Sequence, residues 1–201
     1  MEKTTKKPKH RVILSILLVI VILVTVFGAY RGYLAFSTPD EFMITTANYF
    51  DYQNAYECSG YASAYALRSL GEEVNGLELY NEFTNKNPDG TLSPIYLKKN
   101  LKDMGYKCSF HIGSITDLKY TVSKGTPVIA LIRVYTSQQY LHYVPVVGYD
   151  EEYIYVADSL NYMVNSGKKH YNRKIAINEF EELWKNDINP VDNIYLTIGV
   201  E

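Results

Sequence analysis

The pattern of apolar and polar residues divides the chain into an uncharged apolar stretch near the N-terminus and a longer part with helical and strand periodicities. Residues 12–30 carry no charge, and Ser15 and Thr25 are the polar side chains among them. A helix of this length spans about 28 Å at about 1.5 Å per residue, which is close to the hydrocarbon thickness of a bilayer. The pattern therefore predicts one transmembrane helix over residues 12–30.

Two helices are predicted at the start of the longer part. Residues 58–70 place their apolar side chains on one helical stripe, and Gly71 follows as a stop signal. Ser93 and Pro94 form a cap followed by proline at the first helical position, and the apolar stripe behind them continues to Gly105. These helices precede any segment with strand character.

From Lys107 onward, short apolar runs replace the helical period. They predict a strand from Lys107, a buried strand at Val128–Val134, a hairpin formed by Val144–Tyr149 and Tyr153–Ala157, and a last strand at Asn193–Val200. Asn178 and Glu181 predict a capping box for a short helix that includes Trp184. Helices followed by a mostly antiparallel sheet predict an α+β domain.

Composition narrows the class of protein. The 201 residues are 47% hydrophobic and 21% charged, with two cysteines and a net charge of −2. The high hydrophobic and moderate charged fractions exclude a disordered chain. Two cysteines are too few for a disulfide scaffold or a four-cysteine zinc site. A mildly acidic chain argues against a dedicated nucleic-acid-binding protein. We find no phosphate-binding glycine loop and no metal-ligand spacing, so we expect no cofactor, no metal and no nucleic-acid partner.

The charge is unevenly distributed along the chain. Residues 1–11 carry a net charge of +4, which leaves −6 for the remainder. A basic segment before a single span predicts a cytoplasmic N-terminus and an exported domain. A cleaved signal peptide is the alternative, although the apolar stretch exceeds the usual length of about 7–15 residues. We predict a cytoplasmic segment at 1–11, a signal anchor at 12–30, a connector at 31–47 and one domain at 48–201, of undefined oligomeric state.

Cys58 is the first candidate for chemistry. It lies in the first turn of the predicted helix 58–70, where backbone N–H groups and the helix dipole favour a negative charge on sulfur. Gly60 is expected to let the backbone approach a ligand closely. The alternative interpretation is that Cys58 is a small buried apolar residue.

His142 and Asp158 form the second candidate pair. A turn at Asp150–Glu152 places two residues opposite each other when their numbers add up to about 302. The numbers of His142 and Asp158 add up to 300, so the two residues are predicted at the same open end of the hairpin. A thiolate nucleophile needs a base, and the base needs an orienting group. The alternative is an ordinary cross-strand salt bridge.

Gln53 lies five residues before Cys58, where its side-chain amide could serve with the Cys58 N–H as an oxyanion hole. The alternative is a solvated loop glutamine. Cys108 is expected in the core, although a Cys58–Cys108 disulfide is a second possibility in an oxidising compartment. His111 is interpreted as structural, and the basic loop around His170, which extends to Arg173 and Lys174, is interpreted as a solvated surface.

These residues together resemble a known family, the bacteriocin-processing, double-glycine peptidase-like domains of the papain-like cysteine peptidases. The resemblance covers about residues 48–198 and rests on an ordered set of segments: Gln53 with Cys58-Ser59-Gly60, Gly125-Thr126-Pro127-Val128, His142 to Tyr149, Val156-Ala157-Asp158, and Lys174 to Trp184.

The resemblance implies a papain-like fold with N-terminal helices packed on an antiparallel sheet. It also implies that Cys58 is the nucleophile, His142 the general base and acid, Asp158 the orienting group and Gln53 the oxyanion donor. Relatives often have glycine after the cysteine and proline after the aspartate, where this chain has Ser59 and Ser159.

We therefore expect a membrane-anchored extracytoplasmic cysteine peptidase that cleaves a peptide or protein through a thioester. The leader-cleaving relatives lie on the cytoplasmic side of a transporter, so their leader substrate is not carried over to this chain. A cell-wall peptidoglycan endopeptidase of the NlpC type, which shares the Cys-Ser-Gly triplet, is one alternative. A catalytically silent binding domain of the same fold is the other.

Overall fold

A computed structural model describes residues 9–185 and 191–200, and the chain divides into two compact units at Ser37 and Thr38. The first unit contains helix α1, Lys9–Ser37. Within α1, Val12–Ser37 is long and apolar enough to cross a membrane, by length and composition. The helix therefore includes the predicted span and continues into the first part of the predicted connector. Of the predicted cytoplasmic segment, residues 1–8 lie outside the described residues.

The second unit contains five α-helices, a short 3₁₀ helix at Asn161–Met163 and seven strands among its described residues. The helices are α2 (Cys58–Arg68), α3 (Gly76–Glu82), α4 (Pro94–Asp103), α5 (Ile115–Val122) and α6 (Ile177–Trp184). The strands are β1 (Phe42–Met43), β2 (Lys107–Ile112), β3 (Val128–Arg133), β4 (Leu141–Tyr149), β5 (Tyr153–Val156), β6 (Arg173–Ala176) and β7 (Ile194–Gly199). The sheet thus starts upstream of residue 48, where the domain was expected to begin.

The strands form one antiparallel sheet in the order β2-β7-β3-β4-β5-β6, and β1 adds to β4. The β4–β5 hairpin pairs Val146 with Val156, which is the register expected from its turn, and a bulge follows between Val146 and Gly148. The predicted α+β class and antiparallel sheet are confirmed.

Successive side chains of β3 belong to two different apolar clusters, one on each face of the sheet. Ile129 and Leu131 pack in a cluster with residues of α2, α3 and α4. Val128, Ala130 and Ile132 pack in a second cluster with residues of α5 and α6. Since successive strand residues point to opposite faces, a run of apolar residues is what a strand covered on both sides requires.

The boundaries of the predicted helices differ in places from the structure. α2 ends at Arg68, and Gly71 follows with a positive φ of 95°. α6 begins at Ile177 with Ala176 as its N-cap, so the capping box expected from Asn178 is wrong. Asn178 instead lies inside the first turn, because β6 runs directly into the helix.

Gly60 has a different function from the predicted one. A β-carbon on Gly60 would lie 2.5 Å from the carbonyl oxygen of Gly76 and would also overlap Tyr80. Gly76 and Tyr80 belong to α3, so the missing side chain lets two helices pack closely. The expectation that Gly60 faces a ligand is therefore wrong.

Gly60→Ala is expected to lower the stability of the second unit by about 1–3 kcal/mol, because overpacking forces backbone shifts. For a chain of this size the melting temperature should fall by about 3–10 °C, measured by circular dichroism of the full chain in detergent. Gly167→Ala is the matched control, because a β-carbon there meets no atom within 4 Å. Equal melting temperatures for the two variants would contradict the packing argument.

Candidate active site

The site begins at the first residue of α2. Cys58 opens this helix and is 7% exposed, and the N–H groups of Gly60 and Tyr61 both donate to the Glu57 carbonyl in the first turn. The positive end of a helix favours a negative charge on a group placed there. α2 lies across the sheet against β3, β4 and β7, which brings its start close to the open end of β4.

His142 is the second residue of β4 and is 2% exposed. Its Nε2 lies 2.8 Å from Asp158 Oδ1, and the imidazole and the Cys58 thiol line the same cleft. Burial by itself lowers the pKa of His142, but the charge of Asp158, the hydrogen bond that the imidazole donates to it and the nearby Cys58 outweigh this effect and raise the pKa. A charged imidazolium between carboxylate and thiol is therefore favoured.

Asp158 follows β5 and is 1% exposed. The hairpin places it there because the Ala157 N–H still donates to the Pro145 carbonyl, so the pairing of β4 and β5 continues to this point. Burial raises the pKa of the Asp158 carboxyl, but the charges of His142 and Arg173 and the hydrogen bonds from His142 and the Leu160 N–H lower it overall. The carboxylate is thus held in its charged form.

Arg173 and Asn172 support Asp158, and neither contact was predicted from the sequence. Arg173 Nη1 lies 2.8 Å from Asp158 Oδ2, and its side chain is 5% exposed. Asn172 accepts from the Asp158 N–H at 2.7 Å and donates to the Asp158 carbonyl at 2.8 Å. The expectation that Arg173 belongs to a solvated basic surface is wrong. The alternation of Arg173 with Ile175, both buried along β6, is the signal that could have located it.

Gln53 lies in the loop before α2 and is held against Ser159. Its backbone N–H donates to the Ser159 carbonyl at 3.0 Å, and its Oε1 accepts from the Ser159 hydroxyl at 2.7 Å. Its Nε2 donates to the Ala55 carbonyl at 2.6 Å. Gln53 is therefore fixed in one position rather than free in a solvated loop.

A cleft with a volume of about 510 Å³ has Gln53, Cys58 and His142 in its lining. Leu92 and Tyr143 also line it, and the buried Tyr143 hydroxyl donates to the Leu92 carbonyl at 2.9 Å. This bond ties the loop that forms one wall to strand β4. The structure thus brings three of the predicted residues to one cleft, with Asp158 buried behind His142.

The remaining candidates lie outside this cleft. Cys58 and Cys108 are both free thiols, so the disulfide considered between them is not formed. Cys108 is 3% exposed in β2, and burial raises its pKa to about 11, although Lys98 and Lys102 act in the opposite direction. His111 stacks on Tyr195 and bonds to the Thr197 hydroxyl at 3.0 Å, in keeping with a structural role.

Fold and site together define a class, the papain-like cysteine peptidases. The profile of the Peptidase_C39 like family matches residues 44–189, and the chain belongs to this family. The resemblance found in the sequence is thereby confirmed. No curated protein matches the chain.

Solved structures show the same fold at low identity. A putative C39-like peptidase from Bacillus anthracis has a TM-score of 0.61 at 17% identity, covering 81% of this chain and 99% of that one. The peptidase domain of Streptococcus ComA, a bi-functional ABC transporter, has a TM-score of 0.59 at 14% identity, covering 76% and 98%. A double glycine motif protease from an AMS/PCAT transporter, solved with its leader peptide, has a TM-score of 0.55 at 17% identity, covering 79% and 98%.

Asp158→Asn is expected to lower the pKa of His142. The substitution removes the negative charge that favours the imidazolium and leaves the burial that disfavours it, so His142 should lose its proton at a lower pH than in the wild type. The titration can be followed by NMR of the histidine rings in the full chain in detergent micelles.

His111 provides an internal control for this titration. Burial and the charge of Lys98 lower the pKa of His111. This histidine lies in β2, and Asp158 does not contribute to its pKa shift. Its titration should be the same in both proteins. A His142 that titrates at the same pH with and without Asp158 would contradict the assignment of the pKa shift.

Proposed function

We propose that this protein is a cysteine peptidase that cleaves a peptide or protein through a thioester at Cys58. The observation that carries the proposal is the buried bond between His142 and Asp158 beside the Cys58 thiol. A binding domain has no need for a charged histidine and carboxylate buried behind a cysteine, because burying such charges is costly.

In the first half of the reaction, the Cys58 thiolate attacks the carbonyl carbon of the scissile amide. Nε2 of His142 is bonded to Asp158, so Nδ1 is the ring nitrogen available to the thiol and to the substrate. Gln53 and the Cys58 N–H stabilise the oxyanion of the tetrahedral intermediate. The C–N bond then breaks, and the imidazolium gives its proton to the leaving amine.

In the second half, water hydrolyses the thioester. Neutral His142 takes a proton from water as the oxygen attacks the acyl carbon, and the C–S bond breaks in the second tetrahedral intermediate. The products are a carboxylic acid, which releases its proton to solvent, and the regenerated thiolate–imidazolium pair. Asp158 keeps the ring in one orientation and stabilises its charged form in both halves.

The peptide character of the substrate is supported by the relative that was solved with its leader peptide. The cleft is large enough for several residues of an extended chain, and its lining is mostly aromatic and apolar, including Tyr56, Tyr135, Tyr140 and Tyr162. Such a surface fits a peptide with apolar side chains beside the scissile bond.

Iodoacetamide is expected to label Cys58 at least about 100-fold faster than Cys108, because the Cys108 thiol is held neutral by burial. His142→Ala should slow the labelling of Cys58 by about tenfold or more, since the thiolate loses its imidazolium. The measurement is mass spectrometry of tryptic peptides from the full chain in detergent. His111→Ala is the matched control and should leave the rate unchanged. Equal, slow labelling of both thiols would favour the silent binding domain.

A substrate panel separates the peptidase from the peptidoglycan endopeptidase. We expect the full chain to cleave members of a peptide library, with no cleavage by the Cys58→Ala variant. Cleavage of muropeptides alone, with the peptide library left intact, would favour the NlpC-type activity instead.

We further propose that α1 anchors the protein and that the catalytic domain lies outside the cytoplasm. The proposal is supported by the apolar length of Val12–Ser37 and by the net charge of +4 on residues 1–11. Protease added to intact spheroplasts should therefore digest the domain. A domain that is protected until the membrane is lysed would reverse the orientation, and one released into the medium would show that the signal is cleaved.

A further inference from the structure

Ser159 makes two contacts to one residue of the cleft. Its carbonyl accepts from the Gln53 backbone N–H at 3.0 Å, and its hydroxyl donates to Gln53 Oε1 at 2.7 Å. Ser159 is 5% exposed, so these bonds are shielded from water. The loop that carries Gln53 is thus attached to the segment that follows β5 through both backbone and side chain.

The Ala55 carbonyl decides which way the Gln53 amide is turned. A carbonyl oxygen only accepts hydrogen bonds, and it lies 2.6 Å from one end of the amide, so that end must be the NH₂ group. The oxygen of the amide is then the atom that faces Ser159, and the serine hydroxyl must be the donor in that bond. The two neighbours therefore exclude the flipped amide.

We propose that Ser159 is a positioning residue that holds the Gln53 amide in the orientation required of an oxyanion donor. This inference rests on the proposed peptidase function. With one amide hydrogen bonded to Ala55, the second N–H is left to donate to a substrate oxyanion in the cleft. A hydroxyl donating to the amide oxygen also polarises the amide, which makes its N–H a stronger donor.

Ser159 directly follows Asp158 in the chain. Asp158, the preceding residue, bonds to His142. Two consecutive residues thus fix the position of the base relative to that of the oxyanion donor. A displacement of this segment would disturb both, whereas loss of the Ser159 hydroxyl should disturb the oxyanion donor alone.

Two small reagents separate these effects at the same thiol. Acylation of Cys58 by p-nitrophenyl acetate passes through a tetrahedral oxyanion and releases p-nitrophenolate. Alkylation by iodoacetamide forms an S–CH₂ bond, expels iodide and develops no oxyanion. Both rates are measured on the full chain in detergent, the first as the burst of p-nitrophenolate and the second by mass spectrometry, with Cys58→Ala as the blank.

Ser159→Ala is expected to slow acylation by about five- to tenfold, as for the loss of one hydrogen bond, and to leave the alkylation rate unchanged. Gln53→Ala should slow acylation by about 100-fold. Adding Ser159→Ala to Gln53→Ala should have no further effect, because Ser159 acts through Gln53. Ser159→Thr keeps the hydroxyl and should restore acylation.

Ser69→Ala is the matched control. Ser69 follows the last residue of α2 and is 8% exposed, and its hydroxyl bonds to Tyr65 and Asn48. None of these residues lines the cleft, so both rates should stay at the wild-type value. Equal slowing of both reactions by Ser159→Ala would overturn the inference, since it would indicate a displaced Asp158 or a general loss of structure. An unchanged acylation rate, or effects that multiply in the double variant, would also overturn it.

The two proposals can fail separately. A wild-type chain in which Cys58 reacts slowly with both reagents would overturn the peptidase function and the role of Ser159 with it. A wild-type Cys58 that reacts rapidly with both, combined with a Ser159→Ala variant of normal acylation rate, would leave the peptidase standing and remove only the positioning role.

Discussion

The carboxylate of Asp158 is the group on which the arrangement of the site depends. A buried carboxylate is unfavourable unless its oxygens are bonded and its charge is compensated. Here Oδ1 accepts from His142 and the Leu160 N–H, and Oδ2 accepts from Arg173. Three segments, β4, the loop after β5 and the start of β6, are therefore tied to one charge. Removal of Asp158 would leave His142 and Arg173 buried without its negative charge, so the site and the local fold are stabilised together.

The register of the sheet brings these partners to one place. β4 pairs with β5, and β5 pairs with β6 so that Val156 lies opposite Arg173. A slip of one residue would turn the strand side chains to the opposite face of the sheet. β3 and β4 are buried on both faces, so a slip would not move their apolar side chains into water. Their packing therefore fixes the register less strongly than in a strand with one apolar and one polar face. The polar bonds around Asp158 and Asn172 supply the specificity that the apolar packing lacks.

Sequence reasoning could predict those parts of the structure that depend on local pattern. The hairpin geometry placed His142 beside Asp158 because antiparallel pairing follows from the position of one turn. α3 and α5 were missed because they are seven and eight residues long, too short for a clear helical period. Arg173 was missed because its burial depends on which strand neighbours β5. Ser159 could not be predicted as a partner of Gln53, since 106 residues separate them.

The two cysteines are buried to a similar degree but lie in different surroundings. Cys58 and Cys108 are 7% and 3% exposed, so both are shielded from water to a similar degree. Cys108 lies on a strand in the apolar cluster, where the neutral thiol is favoured and its pKa rises to about 11. Cys58 belongs to the same cluster but begins a helix and shares a cleft with a histidine whose charge Asp158 stabilises. The two thiols therefore differ in the neighbours that the fold brings to them, and the reactivity proposed for Cys58 rests on His142.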